Sequence, residues 1–105
     1  MSSVTGLVLI CSAGEPLEWH EHPPGNIARI NQWLRSHDFQ EVADIADEHA
    51  TGNKHPQLLL YAAGYNYFPE DEFIDFFHTL RWDAPDRVIL TVQPEAGPTR
   101  VVRPA

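Results

Sequence analysis

The chain has 105 residues with three Trp, three Tyr and five Phe, enough apolar material for one core and too little length for two ordinary domains. Its formal net charge is −8, from fifteen acidic and seven basic residues. That balance disfavours nucleic-acid and anionic-membrane partners, and a single cysteine excludes an intramolecular disulfide. The charge is uneven. Residues 1–35 and 81–105 are nearly neutral, whereas residues 36–80 hold nine acids against Lys54 alone.

Residues 5–12 are apolar at both alternating sets of positions, as in a central strand covered on both faces. The run Leu7-Val8-Leu9-Ile10 is too short for a membrane span and lacks the flanks of a signal peptide, so the expected location is cytoplasmic. Residues 13–25 are rich in Pro and Gly and read as a loop. Asn26 is a good N-cap for a helix carrying Ile27, Ile30 and Leu34 at i, i+3, i+7, with Trp33 beside them.

Residues 39–50 admit two readings. Phe39, Val42, Ala43 and Ala46 fit a helix period. The turn signal Thr51-Gly52-Asn53-Lys54 instead makes 39–48 and 57–67 the arms of a hairpin, and this reading is preferred. Gly64 suggests a bulge in the second arm. Pro69 is placed at N1 of a second helix, with Glu70, Asp71 and Glu72 in its first turn and Phe73, Phe76, Phe77 and Leu80 as its apolar stripe. Residues 87–93 form a strand, and 99–103 a short edge strand between Pro98 and Pro104. The expected order is β-α-β-β-α-β with an extra C-terminal edge strand, an α+β domain of the ferredoxin-like arrangement. If 39–50 is helical, the order becomes β-α-α-β-α-β-β.

Four features bear on function. His20 and His22 would point the same way in an extended segment, but two imidazoles do not make a metal site, and no metal or other cofactor is expected. Cys11 ends a strand, where a thiol acts as a nucleophile only if a base or positive charge lowers its pKa. Tyr65 and Tyr67 share a face if their strand continues, and would then stack on a ligand or anchor a partner. The fourth feature is the acidic set Asp38, Glu41, Asp44, Asp47, Glu48, Glu70, Asp71, Glu72 and Asp75, which suits a docking surface for a basic protein. His37, His49, His55 and His78 fall in the same stretch, so acidification is expected to weaken such a surface.

No Walker loop, dinucleotide glycine fingerprint, GxSxG elbow or paired-cysteine zinc motif occurs. The leading expectation is a small acidic protein–protein interaction module, of the immunity or antitoxin type, that inhibits a basic partner. One alternative is a ligand-binding domain or enzyme built on a dimeric ferredoxin-like sheet, with Cys11, His20, His22, Tyr65 and Tyr67 as its residues. The other is a regulatory or structural subunit that forms a homodimer through its sheet.

Overall fold

The first strand is the middle of a sheet. The computed structural model describes residues 3–11, 25–45, 60–82 and 84–104. In it, β1 (Val4–Ile10) pairs antiparallel with β3 (Leu60–Asn66) on one side and β4 (Ile89–Pro94) on the other. A two-residue strand, β2 (Ala43–Asp44), lies outside β3, and β5 (Arg100–Val102) lies outside β4. The order is β2-β3-β1-β4-β5, with every neighbouring pair antiparallel. Two helices, α1 (Gly25–Ser36) and α2 (Glu70–Phe77), and a 3-10 turn at Pro85–Arg87 complete the described elements. The domain is therefore α+β.

The period-2 alternation of the strands sorts their side chains. Leu7, Leu9, Tyr61, Tyr65, Leu90 and Val92 form one buried cluster with Ile27, Ile30 and Leu34 of α1 and Phe73, Ile74 and Phe77 of α2. Both helices thus serve the same sheet face. The opposite face carries Val4, Val8, Ile10, Ala62, Ile89 and Val101, none of which belongs to that cluster.

Residues 39–45 are not helical, so that part of the helical alternative is set aside. The hairpin reading survives only in part. Ala43 and Asp44 pair with Ala62 and Tyr61, and the Ile45 N–H donates to the Leu60 carbonyl at 3.0 Å. Residues 39–42 instead find partners outside a ladder. The Val42 N–H donates to Asn31 Oδ1 at 3.1 Å, and the Gln40 carbonyl accepts the Tyr65 hydroxyl at 2.6 Å. The Thr51–Lys54 turn and residues 57–59 lie outside the described residues.

Three local expectations are corrected. Gly64 sits opposite Gly6 in unbroken register, so there is no bulge at that position. Asn26 lies inside α1 and is buried, its Nδ2 donating to the Arg81 carbonyl at 2.6 Å rather than capping the helix. Pro69 precedes α2 as its N-cap, because its carbonyl accepts the first helical bond, from the Phe73 N–H at 3.0 Å. The residue that lacks an N–H therefore stands one place earlier than N1. No helix among the described residues is long and apolar enough to cross a membrane.

Candidate functional site

The helices run in opposite directions, and this gathers charge. The start of α1 touches the chain just past α2, through Asn26 and Arg81. The chain just past α1 touches the chain just before α2, where the rings of Phe39 and Phe68 lie 5.0 Å apart. Asp38 and Glu41 come from one side of that contact, and Glu70, Asp71 and Glu72 from the other. Five carboxylates separated by about thirty residues of sequence thus share one end of the helical layer.

Each is held differently. Glu70 Oε2 accepts the hydroxyl of the buried Thr5 at 2.6 Å, which ties α2 to β1. Asp71 pairs with Arg100 of β5 at 2.8 Å while keeping 87 % of its side chain exposed. Glu41 pairs with Arg35 of α1. Exposed pairs of this kind contribute roughly 0–1 kcal/mol and leave the carboxylates accessible to a stronger partner. Glu72 and Asp38 are exposed. Asp44 lies on β2 at the sheet edge, and Asp75 lies one turn further along α2. Asp47 and Glu48 lie outside the described residues.

Backbone conformation marks the same end. Among the described residues, only Asp38 and Tyr67 are non-glycine residues with positive φ, at 65° and 54°. Asp38 closes α1 in a Schellman turn, in which the Phe39 N–H reaches the Leu34 carbonyl at 2.8 Å and the Asp38 N–H reaches Arg35 at 3.1 Å. Glycine is the usual occupant of that position, and a carboxylate there also faces the negative end of the helix dipole. An aspartate here breaks two local preferences at once. Tyr67 is a bulky side chain in the left-handed region with 68 % of its surface exposed. Strained backbone of this kind tends to occur at functional positions.

Tyr65 and Tyr67 do not share a face, because the strand ends at Asn66 and Tyr67 turns away. Tyr65 is buried against Phe39 and Phe68, at ring separations of 5.2 and 5.0 Å. Burial pushes its hydroxyl up to about 12. Its hydrogen bond to Gln40 holds the α1–β2 connection, and with it Asp38 and Glu41, against the sheet.

The described members of the alternative ligand set, Cys11, Tyr65 and Tyr67, are not brought together. Cys11 has no exposed surface and lies beyond Ile10 at the far end of β1, whereas Tyr65 is opposite Thr5. His20 and His22 lie outside the described residues, and no group of three metal-ligating side chains occurs among the described ones. His37 stacks on Trp33 at 3.9 Å beside Asp38. His78 is at the other end of α2, its Nε2 3.0 Å from the Arg103 carbonyl, so the two described histidines of the acidic stretch do not act on one surface. His49 and His55 lie outside the described residues.

Sequence reasoning missed the buried polar pair Asn26 and Asn31 and the conformation of Asp38. Neither periodicity nor charge carries a signal for them. Comparison with protein-family models, with curated proteins and with solved structures finds no match for this chain.

Proposed function

We propose that this domain is a protein–protein interaction module whose acidic end docks a basic partner protein. The observation that carries this reading is the coincidence at one end of Asp38, Glu41, Glu70, Asp71 and Glu72 with the two left-handed residues Asp38 and Tyr67. Carboxylates steer and select a cationic partner, and an exposed tyrosine is a rigid anchor of the kind that dominates binding energy. An inhibitor of the immunity or antitoxin type is the most specific form of this reading. The interleaving of β2, β3, β1 and β4 supports a ferredoxin-like arrangement with both helices on one sheet face.

The test is affinity capture from the source organism with the wild type and with the combined variant Asp38→Asn, Glu41→Gln, Asp71→Asn, Glu72→Gln. The expected result is a basic protein retained by the wild type and lost by the variant. Identical retention by both would show that the acidic end does not dock the partner.

A second reading has its own observation. Every described strand position on the sheet face turned away from the helices is uncharged, and Val4 and Val101 are 41 % and 64 % exposed. An uncharged sheet face with Val4, Val8, Ile10, Ile89 and Val101 on it favours a structural or regulatory subunit that pairs with a second copy. Light scattering on the wild type and on Val8→Lys separates the outcomes. A dimer lost in the variant supports this reading, and a strict monomer at high concentration ends it.

A further inference from the structure

The outer surface of the helical layer carries a groove between α1 and α2, with a volume of about 460 Å³. Trp33, Phe76 and Leu80 form its apolar part, the Trp33 and Phe76 rings 5.7 Å apart and nearly parallel at 25°. Among the described residues, Arg29 is the only charged one that lines it, and Gln32, Ser36 and Thr79 add neutral polar groups.

Three observations give the groove a sign. First, Arg29 has no carboxylate partner among the described residues, although acids outnumber bases two to one in the chain. Arg35 and Arg100, by contrast, each hold one. Second, the guanidinium is braced by a neutral group. Nη1 of Arg29 donates to Asn26 Oδ1 at 3.2 Å, and Asn26 is only 3 % exposed and fixed in turn to the Arg81 carbonyl. A buried amide therefore positions the cation without neutralising it. Third, α1 has no acidic residue in its first turn to offset the charge of Arg29. The first turn of α2 holds three acids.

The geometry points to a binding site for a small flat apolar molecule bearing a carboxylate, its ring system on Trp33 and Phe76 and its carboxylate on Arg29. An arginine whose side chain is already oriented loses less freedom on forming a charge-assisted bond, and aromatic walls take the apolar body. This site is separate from the acidic end and does not depend on a protein partner there.

The test uses the full-length isotope-labelled chain titrated with 2-naphthoate and, as the uncharged control, 2-naphthalenemethanol. The expected result is saturable shifts in the amide signals of Arg29, Gln32, Ser36 and Thr79 and in the Trp33 indole signal. Naphthoate should bind at least about tenfold more tightly than the alcohol. Arg29→Gln should bring naphthoate down to the level of the alcohol with the rest of the spectrum unchanged, and Arg29→Lys should restore part of the preference. Equal binding of the two probes, an unchanged naphthoate affinity in Arg29→Gln, shifts centred elsewhere, or no saturable shift overturns the proposal.

Discussion

Tyr65→Phe tests how the acidic end is held. At neutral pH the variant loses one hydrogen bond, from the Tyr65 hydroxyl to the Gln40 carbonyl at 2.6 Å, and keeps the ring packing against Phe39 and Phe68. Gln40 is exposed, so water can take over its carbonyl, and the cost should be about 1 kcal/mol. Alkaline pH changes this value in a defined direction. Burial raises the Tyr65 hydroxyl from 10.0 to about 12 in the folded state. Between those values the unfolded chain releases a proton that the folded chain keeps, so the wild type loses stability as pH rises. At pH 11 the loss from this group is about 1.4 kcal/mol, and it approaches roughly 2–3 kcal/mol above pH 12. Phenylalanine has no proton to lose. Urea denaturation of both proteins at pH 7 and pH 11 should therefore show the penalty of the substitution falling by about 1.4 kcal/mol, so that at pH 11 the variant is as stable as the wild type or slightly more so. Other titrating groups are common to both proteins and cancel in the comparison. A penalty that is the same at both pH values would refute the buried, proton-holding role given to Tyr65.

Three further outcomes follow from particular contacts. Asp38→Gly should raise stability by up to about 1 kcal/mol in chemical denaturation, since glycine relieves both the left-handed strain and the carboxylate at the helix C-terminus, while partner retention falls. Thr5→Val should cost roughly 1.5–3 kcal/mol, because the Glu70 carboxylate loses its buried hydroxyl donor, and the loss should show as a lower urea midpoint with unchanged slope. Phe77→Ala, at a side chain with no exposed surface, should cost about 3–5 kcal/mol by the same measurement.

Much of this fold was legible in the sequence because hydrophobic periodicity and turn residues agree in most segments. The two-faced apolar run at Leu7–Ile10 does form the central strand, and Phe73, Phe76 and Phe77 do mark the helix that follows Pro69. The stretch after α1 was ambiguous for a physical reason. Phe39 and Val42 have helical spacing, but the Schellman turn at Asp38 ends the helix, and long-range side-chain bonds from Asn31 and Tyr65 then claim the backbone of 40–42. No local pattern encodes partners eleven and twenty-five residues away. The acidity of residues 36–80 was plain, but its gathering depends on the antiparallel helices, which bring Asp38 and Glu41 to the same end of the helical layer as Glu70–Glu72. The groove was invisible for a related reason. Trp33 and Phe76 belong to two apolar stripes that looked wholly internal, and only the packing of α1 on α2 leaves part of each half-buried at the surface.

The salt dependence of partner binding reports on whether the acidic end carries the contact. The partner captured by the wild type should be purified and its affinity measured for the wild type and the four-carboxylate variant between about 0.1 M and 1 M salt, where the screening length falls from about 10 Å to about 3 Å. Wild-type affinity should fall steeply with salt, and the variant should bind weakly with a shallow dependence. Equal affinities with the same slope would contradict a docking role for the acidic end.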